Sequence, residues 1–370
     1  MEKTTGYPVK SLISFDALEN PPWHASTRTK YARQGKTVTL TEMITQITEY
    51  HKRWERAIAE NTYNEKLIKK VQEQFLANFI FHVNLEEGHG LTTFPETESF
   101  LRSSRRNVTT SSFSLEEQET MNLRVAYENL MEKIKREERT SDFGLMEVSL
   151  LEETHRLILQ DIPLPKGLTK PGKMSNNPRV TQFKGELYHY ANPGDMESAV
   201  NNLLDKYNFL FDSCNQGKGG LMDLDDIYSL FKTCAWLLFE LLDLHPFSDG
   251  NGRLCRILCS YSLSKLNPFP TPIYNVWTDS SKDDYIKALI EARMSPGRHP
   301  CALTTMIIEC SYYGWESFFR TLDEETVSRT YVRENSFSKT IAEEYVSSSP
   351  LKESKRVCTH PLAQLIICSV

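Results

Sequence analysis

The sequence predicts a mainly α-helical protein carrying one small β-hairpin flap. Two observations lead there. Apolar residues recur at three- and four-residue spacing along most of the chain, the period of an amphipathic helix. The exception runs from Ile162 to Pro193. There Pro163, Pro165, Pro171, Gly172 and Pro178 crowd together, and two β-friendly runs, 179–183 and 186–190, flank Lys184-Gly185.

In chain order, residues 1–38 read as an irregular arm punctuated by Pro8, Pro21, Pro22 and Gly35. Residues 39–140 form an N-terminal helical region. Its first helix is expected to start at a Thr41 cap and to bury Met43, Ile44, Ile47, Tyr50 and Trp54. A second spans Tyr63 to Val83 and leads into Asn84-Leu85-Glu86-Glu87-Gly88, and a third covers Pro95 to Leu101. After a polar, basic loop at 103–112, Ser114 and Glu117 have the spacing of a capping box for a long helix to Arg139. Residues 141–325 form the core region: helices at 145–159, 196–211, 227–244, 254–263, 284–294 and 302–322, with the hairpin inserted after the first. Residues 326–370 are polar, serine-rich and unpatterned, and are read as a poorly ordered tail.

The chain has 370 residues, 25% of them charged, with a net charge of −6. That balance gives no global attraction to nucleic acid or to an anionic membrane. No apolar run approaches the roughly 18 residues of a bilayer span, and the most apolar stretch, Cys234 to Leu244, is broken by Glu240 and Asp243. The N-terminus has no apolar signal core, so a soluble cytoplasmic or nuclear protein is expected, with no nucleic-acid or membrane partner. Its eight cysteines show no C-x-x-C and are expected to be free thiols. Cys255 and Cys259 stand four apart, a spacing open to zinc but better suited to two small buried residues. The sequon at Asn107 reads as chance without a signal peptide. The glycine-rich 214–220 segment is not a P-loop, because it lacks the first glycine and the Lys-Ser/Thr pair.

Chemistry concentrates between the two most apolar helices, from His245 to Arg256. Gly250 and Gly252 alternate with Asp249 and Asn251, so the backbone can turn with its amides facing outward. With the N-terminus of the next helix they form a nest for an anion. Arg253 and Arg256 lie three apart on one face of that helix's start. Cations there oppose the helix dipole, which makes sense if a polyphosphate stands in front of them. Asp249 places a carboxylate beside the anion, and Mg²⁺ is the usual bridge between such groups. His245 precedes the nest, where a neutral imidazole can take a proton from an attacking hydroxyl. Phe247 is expected to point inward and anchor the loop.

These residues resemble the signature of the Fic (Fido) family, His-x-Phe-x-(Asp/Glu)-Gly-Asn-Gly-Arg-x-x-Arg, at every specified position. The resemblance implies a Fic-type helical bundle and, most often, transfer of AMP from ATP to a Ser, Thr or Tyr hydroxyl of a target protein. It assigns His245 as general base and Asp249 as the Mg²⁺ ligand. Gly250, Asn251 and Gly252 would hold the inner phosphates, and Arg253 and Arg256 the outer ones. The segment 171–193 resembles the family's target-binding flap, and 284–289, with Tyr285, the helix behind the nucleoside pocket. Val83 to Gly88 resembles the inhibitory element that one class carries N-terminal to the core, Ser/Thr-x-x-x-Glu-Gly/Asn. Glu87 would then pair with Arg256 and displace the γ-phosphate, although Val83 stands where the class has Ser/Thr. A second departure is Met174-Ser175, where members commonly place an arginine; here Arg179 comes later. Homodimerisation stays open. So do removal of AMP, transfer of UMP, phosphocholine or phosphate, and a catalytically idle fold serving as an interaction module.

Overall fold

The computed structural model describes residues 9–25, 38–103, 113–137, 145–175, 177–183, 186–214 and 222–347. Among them are ten α-helices and one two-stranded sheet. Helix α1 (Leu40–Ala59) starts at Thr39 rather than at the expected Thr41. The hydroxyl of Thr39 accepts the Glu42 N–H, and the Glu42 carboxylate accepts the Thr39 N–H. Thr39 has a glutamate three residues on, whereas Thr41 has Ile44 and can form no such box. Asn64 caps α2 (Glu65–Leu85), and α3 (Phe94–Ser103) follows. Helix α4 (Leu115–Glu137) opens on the Ser114–Glu117 box that the sequence indicates. After α5 (Val148–Ile158) come β1 (Val180–Phe183) and β2 (Glu186–His189). The strands pair antiparallel, from Val180 opposite His189 to Phe183 opposite Glu186. Then follow α6 (Met196–Ser213), α7 (Leu224–Leu244), α8 (Asn251–Leu263), α9 (Lys282–Met294) and α10 (Cys301–Ser347). The loop at 104–112 and the glycine-rich segment at 215–221 lie outside the described residues.

The chain divides into two units, Met1–Leu322 and Asp323–Val370. Helix α10 continues to Ser347, through residues that the sequence pattern assigns to an unpatterned tail. The stretch 323–347 contains five Glu residues and no Gly or Pro, so nothing in it breaks a helix even without an apolar stripe. Part of the arm packs on the core. Within the first unit Phe15, Ala17 and Trp23 are buried. The indole N–H of Trp23 donates to Glu309, and the Leu18 N–H donates to the Thr305 hydroxyl.

Helix α7 is buried almost all round, with Ile227, Leu230, Phe231, Cys234 and Phe239 fully enclosed. Burying each large apolar side chain of this kind contributes about 1.5–3 kcal/mol. Helix α7 packs on α8, α6 and α1, while α5 packs on α4 and α8. The loop between α7 and α8 is therefore anchored at both ends in the core. Cys255 and Cys259 are buried free thiols, and among the described residues no cluster of His, Cys, Asp and Glu is arranged to hold a metal by itself.

Candidate active site

His245 ends α7 in the left-handed conformation, at φ 51° and ψ 59°, which turns the chain sharply out of the helix. Its Nδ1 lies 3.3 Å from the Leu242 carbonyl oxygen. A carbonyl can only accept, so Nδ1 carries the proton and Nε2 keeps its lone pair. Burial, with help from the Arg179 and Arg293 charges, pushes the imidazole down to about 4, so it is neutral at pH 7. The Tyr190 ring stacks on it at 3.8 Å.

Beyond His245, Phe247 is fully buried. The Asn251 amide clamps the loop shut, accepting the Phe247 N–H at 3.0 Å and donating to the Phe247 carbonyl at 2.8 Å. The Asn251 side chain thus holds the loop. Gly250 caps α8 at φ 73°. The first N–H groups of α8 have no intrahelical acceptor and sit at the positive end of the dipole. The Asp249 carboxylate accepts the Gly250 N–H at 2.7 Å and lines the pocket.

Arg253 is 1% exposed, yet among the described residues its Nε and Nη1 have no hydrogen-bond partner. Burial draws its pKa down, against the opposing charges of Asp249, Glu119 and Glu87. A buried guanidinium with two unpaired donors costs free energy unless an anion meets it. Arg256 is differently placed. Its Nη1 donates to Glu87 Oε1 at 2.5 Å and its Nη2 to the Tyr274 hydroxyl at 3.0 Å. Burial alone would lower its pKa, but Glu87, together with Tyr274 and Tyr285, more than offsets that and raises it. Reciprocally, Glu87 is held below the usual carboxylate range: burial pushes it up, and Arg256, Lys282 and Arg253 together outweigh burial. The carboxylate of Glu87 also lies over the start of α8, where a Cβ on Gly252 would come within 2.3 Å of Oε1.

Glu86 faces elsewhere. Its carboxylate accepts from Asn275 at 2.6 Å, and its carbonyl accepts from Lys282. Tyr285 is buried and stacks on Tyr274 at 4.7 Å, with its ring 5.6 Å from the Arg256 guanidinium. It buttresses that arginine, while Ile286, Leu289 and Arg293 of α9 complete the pocket wall. Val83 is buried in α2. Arg179 is buried at the flap base and donates to the carbonyls of Ser175, Asn177 and Ala191.

The pocket shared by these residues encloses about 310 Å³. A larger groove of about 430 Å³, lined by Lys66, Lys69 and Arg102, has neither base nor nest. All the residues expected from the sequence thus border or support one pocket. Sequence reasoning missed His155. It is buried, stacks on Phe247 at 3.8 Å, and bonds both Asp249 and Gly172. The one available signal was a histidine on the apolar face of a helix, between Leu151 and Ile158. Two carboxylates line the pocket; Glu87 is taken by Arg256, so Asp249 is the group that would hold a Mg²⁺ brought in with phosphates.

Residues 145–263 match the model of the Fic/DOC family. A Fido domain-containing protein of Dictyostelium discoideum is 34% identical over 98 residues, 26% of this chain and 65% of that protein. The ribonucleoside-diphosphate reductase small chain of Ostreid herpesvirus 1 is 28% identical over 156 residues, 41% of this chain and 24% of that protein. The chain therefore spans less than two thirds of either relative. Among solved structures, a Fic domain-containing signaling protein from Bacteroides thetaiotaomicron superposes with a TM-score of 0.54 at 23% identity, covering 76% of this chain and 94% of that one. Fic-1 from C. elegans gives 0.53 at 17% identity, covering 78% and 73%. At such identities the likeness is one of fold.

Proposed function

We propose that the chain, whose residues 145–263 match the model of the Fic/DOC family, is a protein adenylyltransferase held in check by Glu87. The observation that carries this reading is Arg253, a buried guanidinium with two unpaired donors, beside the open amides of α8 and a neutral base. A triphosphate fits that combination. Its inner phosphates meet the α8 amides and its outer ones meet Arg253 and, once Glu87 withdraws, Arg256. A target hydroxyl attacks the α-phosphorus. The new O–P bond forms as the bond to the β-phosphate oxygen breaks, pyrophosphate leaves, and the hydroxyl proton passes to Nε2 of His245. The negative charge of bound ATP raises the His245 pKa from its low value and makes it a better base. Asp249 would hold Mg²⁺, which supplies charge neutralisation on the phosphates.

Glu87 on Arg256 excludes one phosphate from its arginine, which is the basis for the inhibitory role. The target is a protein presenting a Ser, Thr or Tyr hydroxyl to the 180–189 hairpin. The test is incubation of the Glu87→Gly protein with labelled ATP, Mg²⁺ and a cell lysate, followed by mass spectrometry. An added AMP on target hydroxyls is the expected result. A different added mass would replace AMP by that group, and absence of both labelling and ATP binding would favour an idle interaction module.

A further inference from the structure

Between the hairpin and the α7–α8 loop lies a contact that catalysis does not use directly. The segment leading into the hairpin is stitched to the loop at three places. The Ser175 N–H donates to the Pro246 carbonyl at 2.8 Å. The Thr169 N–H donates to the Ser248 hydroxyl at 3.2 Å, and the two hydroxyls lie 2.8 Å apart. The third stitch passes through a side chain. The Gly172 N–H donates to His155 Nδ1 at 2.8 Å, and His155 Nε2 donates to the Asp249 carbonyl at 2.9 Å. Both bonds require one neutral tautomer: an acceptor is needed at Nδ1 and a donor at Nε2.

The two strands of chain that meet His155 are shaped to reach it. Gly172 has φ +78°, and a Cβ there would lie 3.0 Å from the Glu152 carbonyl oxygen and from Arg156 Cβ. Gly250 has φ +73°, with its Cβ direction 3.4 Å from His155 Nε2. At Gly172 any other residue would combine backbone strain with crowding against α5, and at Gly250 the positive φ by itself would strain any other residue. Phe247, stacked face to face on the imidazole, fixes the ring plane.

We infer that His155 is a positioning residue that sets the base of the flap and the Asp249–Gly250 turn in a common register. It couples the surface offered to the target with the turn that faces the phosphates. The inference deepens the proposed transfer reaction and rests on it for its consequence, but the tether itself can be judged without any turnover.

Two amide substitutions separate the two bonds. In His155→Asn the amide oxygen reaches the Nδ1 position and keeps the Gly172 N–H, while the bond to Asp249 is lost. In His155→Gln the amide nitrogen reaches the Nε2 position and keeps Asp249, while Gly172 is released. Hydrogen exchange over 170–175 should accelerate about five- to tenfold in His155→Gln, the loss of one hydrogen bond, and stay at the parental rate in His155→Asn. Mg²⁺–ATP binding, measured by calorimetry in the Glu87→Gly background, should weaken about fivefold in His155→Asn and stay within about twofold in His155→Gln. Where transfer is measurable, His155→Gln should raise KM for the target with little change in kcat. Rapid exchange at 170–175 in the parent protein, or equal effects of both variants on both readouts, would overturn the inference. If the Glu87→Gly parent binds no ATP, the transferase reading fails while the exchange arm still decides the tether.

Discussion

His245 and Arg253 show two opposite ways in which burial tunes a charged group. The imidazole, enclosed by Tyr190 and facing Arg179 and Arg293, is stripped of its proton. The guanidinium cannot give its proton up and is left with unmet donors. His245→Ala should lower transfer at least about 10²-fold, within the range for loss of a general base, with the helical circular dichroism retained. Near-parental transfer in that variant would remove His245 from the mechanism. Arg253→Met makes a less obvious prediction. Methionine keeps most of the volume and removes the unpaired donors, so thermal stability should hold or rise, as it does when buried charges give way to packed apolar groups. ATP affinity should fall at least about tenfold, since a charge-assisted contact to phosphate is lost. A variant that loses stability and keeps ATP affinity would make Arg253 a structural residue.

At the scale of elements, the decisive placement is the end of α2. The helix stops at Leu85, Glu86 caps it, and Gly88 turns the chain at φ +76°. Those three residues aim adjacent carboxylates in different directions, Glu86 to Asn275 and Glu87 to Arg256. Glu87→Gly should therefore raise self-labelling and target labelling by at least about tenfold, roughly 1.4 kcal/mol of released inhibition. Glu86→Gly should do much less. Equal labelling in the parent and both variants at matched enzyme concentration would discard inhibition by this segment. The pairing partners, Glu87 and Arg256, were legible in sequence because each belongs to a short motif. The hairpin was legible because its residues break the helical period. What stayed hidden depended on contacts between distant segments. His155 meets Gly172 and Asp249 through tertiary packing, Asn251 folds back on Phe247, and Trp23 reaches Glu309. Local spacing carries none of these. The Thr39 cap was accessible in principle, since Glu42 stands at the box position, but the apolar stripe drew the boundary two residues late.

For the unit Met1–Leu322 as a whole, the buried histidines set how the fold responds to acid. His155 and His245 are both pushed down to about 4 by burial, and burial also lowers His51 and His82. In the unfolded chain each returns to the ordinary value of 6.5. As pH falls from 6.5 toward 4, the unfolded chain takes up protons that the folded chain refuses. Stability therefore rises with pH through this window and is lost as pH drops. Above 6.5 both states are neutral at these positions and the contribution is flat. Each of the two strongly shifted histidines removes up to about 1.4 kcal/mol per pH unit, roughly 3 kcal/mol by pH 4. The carboxylates act lower down. Glu87 and Asp243 have folded pKa values below their ordinary 4.5 and 3.8, so the stability they add is complete above those values and disappears only as pH falls further. Acid loss should accordingly come in two stages, with histidines first. Urea unfolding followed by circular dichroism at pH 7, 6, 5 and 4.5 measures the first stage. The parent should lose several kcal/mol across that series, and His155→Asn and His245→Asn should each show a shallower slope whatever their stability at pH 7. Slopes that stay parallel in all three proteins would mean that neither imidazole is held neutral by the fold.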